Sequence, residues 1–427
     1  MQLLMSLVGM AVLIFIAVLF SSDRRAIKLR TVTGAFIIQV LIGALILYWD
    51  PGRDALISVS NGVANVIGYG QKGMDFIFGA LVSTEKMEHA FGKNNGFVFA
   101  LRVLPVIVFF SSLIAVLYYL GIMQLVIKIL GGGLQKLLGT SRTESLSATA
   151  NIFVGQTEAP LVVRPYISGM TNSELFAVMC GGLASVAGSV LAGYAQMGVP
   201  LEYLIAASFM AAPGGLLFAK LMVPETEHFD DRREAMAGMA EEERPANIID
   251  AAASGASSGM QLALNVGAML LAFIALIALI NGILAGIGGW LDYPQLSLEL
   301  ILGWIFSPIA FLIGVPWNEA MTAGSFIGQK VVVNEFVAYM NFGAYLKPDT
   351  QVIAAGLQPL SDHTKAIISF ALCGFANLSS VAILLGGLGG MAPNRRKDVA
   401  RLGMKAVMAG TLSNLMSATI AGFFLAL

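Results

Sequence analysis

Two carboxylates, Glu158 and Glu335, lie within apolar stretches of the chain. Glu158 closes the run Gly-Gln-Thr-Glu at 155–158, which offers an amide, a hydroxyl and a carboxylate side by side. Such a set can bind a neutral ligand with both donors and acceptors, whereas an anionic ligand would need Arg or Lys beside it. A charge at membrane depth costs about 2.5 to 3.5 kcal/mol, so we expect both acids to be functional. The alternative is a structural role, either in a pair with Arg164 or Lys330 or as a buried acid held by hydrogen bonds.

A further polar group lies close to the second cysteine of the chain. Asn377 and Ser380 are three residues apart, so they share one face of a helix. Together with Glu335 they can hold vicinal hydroxyls, because an ionised carboxylate accepts two O–H bonds at once. Phe375 precedes them and can stack on a heteroaromatic ring, although a single Phe in a membrane helix can equally face lipid or the core.

Oxygen-bearing side chains near Glu158 suit a hard cation, which takes oxygen ligands. Asn151 and Ser185 supply an amide and a hydroxyl. Main-chain carbonyls become available where a hairpin turns and where a helix unwinds, which we expect near Gly181, Gly182 and Gly188. Small polar residues in membrane helices also serve packing, so the spacing alone leaves both interpretations open.

Several other kinds of chemistry lack the residues they need. The chain has two cysteines, both in apolar stretches, and three isolated histidines, which excludes a disulfide scaffold and a thiolate or histidine metal centre. Neither His-Glu-x-x-His nor a phosphate-binding loop occurs. The pair Thr157 and Glu158 has no His or Lys beside it to make a nucleophile, so we expect no enzyme and no cofactor. The net charge of −1 gives no support for a nucleic-acid partner.

The elements that must hold these residues are membrane helices. Of the 427 residues, 57% are apolar and 12% are charged, with a mean hydropathy of +0.79. A bilayer core of about 30 Å needs about 20 helical residues. Residues 56–82 are mildly amphipathic and are expected at the interface. The runs that satisfy this length are 1–20, 32–49, 97–121, 174–195, 201–223, 260–284, 365–389 and 403–427.

Two further regions, 143–172 and 297–342, are apolar but interrupted by polar groups, and we predict them to be re-entrant hairpins. The first span is read as a retained transmembrane helix with the N-terminus outside, because basic residues at 24–30 follow it. The same count places the basic residues at 394–397 inside. The acidic stretch 225–250 also falls inside. It does not support this topology, but the positive-inside rule allows it because acidic residues contribute little.

Short strings recur in the same order along the chain. Phe-Val-Gly-Gln at 153–156 resembles Phe-Ile-Gly-Gln at 326–329, and the segment after Cys180 resembles the segment after Cys373. The second copy is longer, and the extra residues fit most easily at 345–363. With the topology given above, the two hairpins enter the membrane from opposite sides. We therefore expect an inverted repeat, the architecture of secondary transporters. Chance matching of Gly-rich strings is the alternative.

Three segments resemble the signature motifs of the concentrative nucleoside transporter family in its short bacterial form. They are Gly-Gln-Thr-Glu-Ala-Pro-Leu at 155–161, Asn-Glu-Phe-Val-Ala-Tyr at 334–339 and Cys-Gly-Phe-Ala-Asn-Leu-Ser-Ser at 373–380. The resemblance implies an all-α polytopic protein of the bacterial inner membrane, with eight transmembrane helices, two re-entrant hairpins and broken helices at the midplane. It also implies a homotrimer that carries nucleosides such as uridine inward with sodium by an elevator movement.

This resemblance divides the chain into a scaffold and a transport part. We expect the scaffold in residues 1–122 and 260–296, and the two transport repeats in 123–259 and 297–427. The family's base-binding positions fall on Gln156, Thr157, Glu158 and Val190, with Phe375 and Leu262 lining the base. Its ribose positions fall on Glu335, Asn377 and Ser380. Its sodium positions fall on Asn151, Val154, Ser185 and Val186, the second and fourth through main-chain carbonyls.

Two alternatives stay open from the sequence. Some bacterial proteins that resemble this family use protons, so proton-coupled nucleoside symport is the first. The second is an elevator transporter for another small polar solute, such as a dicarboxylate or an amino acid. That rival predicts a basic residue at the site, because a carboxylate ligand needs a cationic partner.

Overall fold

The computed structural model describes residues 2–92, 96–227 and 245–427, and every regular element in these ranges is helical. Short 3-10 turns and a π turn at Ala44–Tyr48 link some of the helices. The helices are α1 (Gln2–Leu19), α2 (Leu29–Gly43), α3 (Asp50–Phe78), α4 (Thr84–Phe91), α5 (Phe99–Arg102), α6 (Leu104–Tyr119), α7 (Ile122–Leu138), α8 (Arg142–Ala150), α9 (Arg164–Ile167), α10 (Asn172–Ala184), α11 (Gly188–Gln196), α12 (Leu201–Met222), α13 (Ile248–Trp290), α14 (Leu298–Leu312), α15 (Trp317–Val332), α16 (Glu335–Gly343), α17 (Asp349–Ala354), α18 (Asp362–Leu372), α19 (Ser380–Met391) and α20 (Arg396–Leu425).

The described part of the chain contains 7 helical segments that are long and apolar enough to cross a membrane. The number rises to 8 if α14 and α15, which are bent against each other by 116°, count as one span. The predicted all-α polytopic class is therefore confirmed. The run predicted to cross at 365–389 is not among the seven, because α18 and α19 divide it.

Two of the predicted spans are broken in the middle. α10 and α11 are separated at residues 185–187, and α18 and α19 at residues 373–379. We expected unwinding near Gly181, Gly182 and Gly188. The break lies between Gly182 and Gly188 and ends directly before Gly188, while α10 continues through Gly181 and Gly182. Gly182 instead provides space, since a Cβ there would lie 2.8 Å from the Cβ of Gln156.

Each predicted hairpin region folds back on itself. In the first, α8 leads through an irregular turn into the 3-10 helix Ala159–Val163 and α9. In the second, α15 and α16 meet at residues 333–334, and Asn341 Nδ2 donates to Gln329 Oε1 across the arms at 2.5 Å. Phe326 of α15 contacts Phe342 of α16 edge to face, so the arms run antiparallel. The region 297–342 thus holds a third helix, α14, that the sequence did not separate.

The order of elements repeats. α7 to α12 correspond in order to α14 to α16 followed by α18 to α20, and α17 lies in the longer connection at 345–363 where extra residues were expected. The matched strings themselves are not equivalent in position. Phe-Val-Gly-Gln lies in the first turn, whereas Phe-Ile-Gly-Gln lies inside α15. Cys180 lies inside α10, whereas Cys373 begins a break. The matching strings are explained by their shared Gly-rich composition. The argument for a repeat therefore rests only on the order of the elements.

The buried core of the described chain includes α10, α12 and α20, whereas α13 is mostly exposed. α13 begins at Ile248, well before the predicted residue 260. The glycines in its first half pack against α6, since a Cβ on Gly259 would lie 2.7 Å from Ser111 Cβ. The predicted interfacial segment corresponds to α3 and the turn after it. Most of the acidic stretch 225–250 lies outside the described residues.

Candidate functional site

The two breaks and the two hairpin turns meet in the interior. Phe375 N, in the second break, donates to Ser185 O, in the first break, at 3.1 Å. Gly188 N, at the start of α11, donates to Phe153 O in the first hairpin turn at 3.0 Å. These two bonds pair backbone groups at one interruption with backbone groups at another, as buried amides require.

Glu335 lies at the centre of this region, as the first residue of α16. It is 4% exposed, and a helix N-terminus favours a carboxylate. Tyr194 donates its hydroxyl to Glu335 Oε1 at 3.0 Å, and Asn377 donates Nδ2 to Oε2 at 3.0 Å. The preceding residue, Asn334, caps the helix by accepting from Val337 N. The carboxylate is thus fixed from three elements.

Asn377, Ser380 and Gln156 extend the same hydrogen-bonded group. Asn377 Oδ1 accepts from Ser380 N at 2.9 Å, and Ser380 donates Oγ to Phe375 O at 2.6 Å. Gln156 Nε2, from the first hairpin turn, donates to Ser380 Oγ at 3.3 Å. Gln156 Oε1 is buried and has no hydrogen-bond partner in the described structure. An acceptor is therefore available beside the Glu335 group.

The other predicted base-contacting residues lie around this group to different degrees. Glu158 folds back on its own turn and accepts from Gly155 N at 3.1 Å. Thr157 is exposed and faces Gly387 of α19. Val190 is buried on α11, one turn before Tyr194 and on the same face. Leu262 is partly buried on α13 and packs on the apolar core that includes Val190 and that Phe375 also contacts.

The predicted sodium positions come together at the first turn and the first break. Asn151 Nδ2 donates to Ser147 O at 2.9 Å, and its Oδ1 is buried with no partner in the described structure. Ser185 donates Oγ to Gly181 O at 2.9 Å, which leaves its lone pairs free. A Cβ on Gly181 would lie 3.0 Å from Asn151 Nδ2, so the amide packs against α10. Val154 and Val186 are buried beside them. An orphaned amide oxygen in this setting suits a hard cation.

Three residues in this region were missed by the sequence reasoning: Tyr194, Lys330 in its observed role, and Asn414. Lys330 was considered as a partner for an acid; its ammonium hydrogen bonds to Ala371 O and Asn414 Oδ1, and its charge interacts with the Glu335 carboxylate without a direct hydrogen bond in the described residues. Asn414 lies in α20 and contacts both breaks. The signal for Asn414 was present, because a polar amide in a membrane-spanning helix is rarely accidental.

Half-helices that end inside the membrane-embedded part, with polar side chains gathered at the breaks, define a secondary transporter. The family models agree. "Na+ dependent nucleoside transporter C-terminus" matches residues 203–422, "Na+ dependent nucleoside transporter N-terminus" matches 8–81, and "Nucleoside recognition" matches 100–201. The chain belongs to the Na+-dependent concentrative nucleoside transporter family, and its function is Na+-dependent nucleoside transport.

Relatives support this over the full length. The chain is 56% identical to nucleoside permease NupC of Helicobacter pylori, over 99% of this chain and 98% of the relative. It is 40% identical to human solute carrier family 28 member 3, over 99% of this chain and 60% of the relative. CNTnw in an inward-facing substrate-bound state is similar with a TM-score of 0.94 and 68% identity, covering 100% of this chain and 98% of that one. A CNTnw double variant in an outward-facing state is similar with a TM-score of 0.96 and 69% identity, covering 100% of this chain and 99% of that one.

These findings confirm the predicted family, the transport activity and sodium as the coupling ion. They support Na+-dependent nucleoside transport over the proton-coupled and the dicarboxylate or amino-acid alternatives, and they confirm a transporter rather than an enzyme.

Proposed function

We propose that the chain imports one nucleoside with one Na+, and that the Glu335 group is the ribose site. The observation that supports this is the convergence of Glu335, Asn377, Ser380 and Gln156 from both repeats onto one point. Vicinal ribose hydroxyls can replace the amide and hydroxyl donors that the carboxylate now accepts. A neutral sugar needs no cationic partner, and the hydrogen-bonded group contains none.

The base is assigned to the first hairpin turn. Gln156 offers its free Oε1 to a base N–H, while Thr157 and Glu158 supply a hydroxyl and a carboxylate from the same turn. Phe375 lies next to the turn, since a Cβ on Gly155 would be 3.8 Å from its ring. Val190 and Leu262, which belong to the same apolar core, complete an apolar wall in this proposal.

Asn151 Oδ1, Ser185 Oγ and the carbonyls of Val154 and Val186 are proposed to hold the Na+. An ion there links the first hairpin turn to the first break and so completes the nucleoside site. Moving one charge through 100 mV yields about 2.3 kcal/mol, and a tenfold sodium gradient adds about 1.4 kcal/mol. Together about 3.7 kcal/mol supports an accumulation of roughly several hundredfold, so one Na+ per nucleoside suffices.

The transport movement is proposed to be an elevator. In this proposal the eight spans are α1, α2, α6, α10–α11, α12, α13, α18–α19 and α20, and the two hairpins are re-entrant parts of an inverted repeat. α6, α13 and α3 form the scaffold. We place α1 and α2 with the moving part instead of the scaffold. A Cβ on Gly9 of α1 would lie 3.4 Å from Thr419 of α20, Gln39 of α2 donates to Ser417 of α20, and Thr31 donates to Leu138 O. The boundary between the first transport repeat and the scaffold, expected between residues 259 and 260, is placed instead at the start of α13, because that helix is continuous.

The assembly is proposed to be a homotrimer in a bacterial inner membrane, with the N-terminus outside. The exposed apolar faces of α3 and α13 are the surfaces available for it, including Phe76, Ile77, Leu271 and Leu279. Native mass spectrometry of the purified protein tests the trimer, and a single mass of one or two chains would contradict it.

Reconstituted uptake tests the proposed substrate and coupling. Purified protein in liposomes is given radiolabelled uridine with an inward Na+ gradient, and then with choline in place of Na+ at two pH values. With the Na+ gradient as the only driving force, we expect the uridine concentration inside the liposomes to rise above the concentration outside. Uptake driven only by external acid would contradict the sodium site, and no uptake of any nucleoside would contradict the ribose and base assignment.

Replacing Asn151 tests the sodium residues directly. Asn151→Ala removes the orphaned oxygen, so we expect the half-saturating Na+ concentration for uridine binding to rise by about tenfold or more, equivalent to about 1.4 kcal/mol. Asn265→Ala, on the exposed face of α13, is the matched control and should leave it unchanged. An unchanged sodium dependence in Asn151→Ala would remove this residue from the site.

A further inference from the structure

Lys330 is a buried base beside the proposed nucleoside site; its charge interacts with the Glu335 carboxylate, but no hydrogen bond joins the two in the described residues. It is 1% exposed and lies in the last turn of α15. Its ammonium group donates to Ala371 O at 3.0 Å and to Asn414 Oδ1 at 2.5 Å. A charge this deeply buried is strongly unfavourable unless it is compensated, so these acceptors hold it in place.

Asn414 carries this contact to the ends of both half-helices. Its Nδ2 donates to Ala184 O at 2.6 Å and to Cys373 O at 2.9 Å. Ala184 is the last residue of α10, and Cys373 directly follows α18. Carbonyls at a helix C-terminus lack intrahelical partners and carry partial negative charge. The Lys330 ammonium therefore lies where two negative helix ends meet.

The same pair of elements surrounds a cation position in each half of the chain. In the first half, the proposed sodium ligands are Asn151, just after α8, and Ser185, just after α10. In the second half, Lys330 lies in the last turn of α15, and its acceptor Ala371 lies in the last turn of α18. Hairpin arm and half-helix end thus face each other across the proposed Na+ position in the first half and across the Lys330 ammonium in the second.

We propose that the Lys330 ammonium is a tethered cation that occupies, in the second repeat, the position that Na+ takes in the first. The chain is thereby limited to a single coupling Na+ per nucleoside. This inference rests on the sodium site proposed above. Its consequence is that removing the tethered charge exposes Ala371 O and Asn414 Oδ1 to a second free cation.

Lys330→Gln tests the inference, because it removes the charge and adds a further amide oxygen. The sodium dependence of uridine binding and the charge moved per uridine in proteoliposomes are measured in both proteins. We expect a hyperbolic sodium curve and one charge per uridine in the unchanged chain. In Lys330→Gln we expect a sigmoidal curve with a Hill coefficient rising to about 2 and a larger charge per uridine. A hyperbolic curve and unchanged charge in the variant overturn the inference.

Two further variants serve as controls. Lys128→Gln removes an exposed lysine from α7 and should behave as the unchanged chain. Lys330→Arg keeps the charge and should keep the hyperbolic curve. If Lys330→Gln unfolds too easily to transport, its thermal unfolding is compared in Na+ and in choline. A stabilisation by Na+ greater than in the unchanged chain supports the inference, and equal instability in both salts overturns it.

The failure of this inference is separable from the failure of the proposed function. If the unchanged chain shows no sodium-dependent uridine uptake, the proposed function fails whatever the Lys330 variants do. If the unchanged chain takes up uridine with sodium and Lys330→Gln keeps a single-sodium curve, only the tethered cation is wrong.

Discussion

At the scale of single residues, Glu335 is the side chain whose charge matters most for the proposed binding. Its two oxygens each accept one strong hydrogen bond, from Tyr194 and from Asn377. In Glu335→Gln the new amide must place a donor against one of these donors. Hydrogen bonds to a charged group contribute about 1.5 to 3 kcal/mol, so we expect uridine affinity to fall by about ten- to 150-fold. Isothermal titration at saturating Na+ measures this.

A matched control exists on the same hairpin. Glu319, in the first turn of α15, accepts hydrogen bonds from the N and Oγ of Ser361 at the surface. Glu319→Gln should keep the affinity of the unchanged chain. Near-normal affinity in Glu335→Gln would take this residue out of the ribose site.

The sequence identified some site residues and could not identify others, for reasons that differ by side chain. Glu335, Asn377 and Gln156 stand out because polar groups in apolar stretches are costly. Tyr194 does not, because a tyrosine in an apolar helix is typical of a core position. Its hydroxyl reaches Glu335 only because tertiary packing brings α11 against α16, and no local sequence pattern predicts that contact.

At the scale of helices, the first hairpin turn depends on a glycine in α10. A Cβ on Gly182 would lie 3.0 Å from Gln156 Cα, which is backbone and cannot rotate away. We expect Gly182→Ala to displace the turn, at an overpacking cost of about 1 to 3 kcal/mol. Both uridine affinity and sodium affinity should fall together, because Gln156 and Asn151 share the turn.

Gly133→Ala is the comparison for this change. Gly133 lies in α7 with open space around its Cα, so alanine there should only favour the helix. Equilibrium binding of labelled uridine at several Na+ concentrations distinguishes the two. Equal affinities in both variants would show that the contact between turn and α10 is dispensable.

A buried ion pair joins the start of the first hairpin to α12. Lys220 pairs with Glu144 and also donates to Ser173 Oγ at 2.8 Å. Lys220→Met leaves Glu144 buried without its partner, which typically costs about 3 to 5 kcal/mol. We expect a lower Tm for this variant. The double variant Lys220→Met with Glu144→Gln should recover part of the loss, and additive losses would refute coupling between the two.

The breaks explain why helix boundaries were only partly predictable. An apolar run of sufficient length predicts a span whether or not its middle unwinds, so 365–389 was assigned as one helix. What interrupts it is the pairing of Phe375 N with Ser185 O and of Asn414 with Cys373 O. These partners are distant in sequence, so composition locates the span but not its interruption.

At the scale of the whole molecule, the elevator proposal requires α6 and α11 to separate during transport. A Cβ on Gly193 of α11 would lie 2.9 Å from Val103, next to α6. We expect a disulfide between Val103→Cys and Gly193→Cys to stop uridine uptake, because it joins scaffold to moving part. Uridine binding should persist, and reductant should restore uptake in proteoliposomes.

The control cross-link lies within the moving part. A Cβ on Gly403 of α20 would lie 2.7 Å from Val381 of α19, so Val381→Cys with Gly403→Cys forms an equivalent disulfide there. Uptake should continue after its oxidation. Continued uptake in the oxidised Val103→Cys and Gly193→Cys protein would instead show that α6 and α11 do not separate.

α13 is 43 residues long and continuous. At 1.5 Å per residue it extends about 64 Å, roughly twice the thickness of a hydrocarbon core of about 30 Å. A helix of this length lies obliquely in the membrane or projects beyond it, and its inclination responds to acyl-chain length. Since α6 packs against the glycines in the first half of α13, a thinner bilayer would increase the tilt of both helices. The rate of uptake should therefore depend on the thickness of the lipid in which the protein is reconstituted.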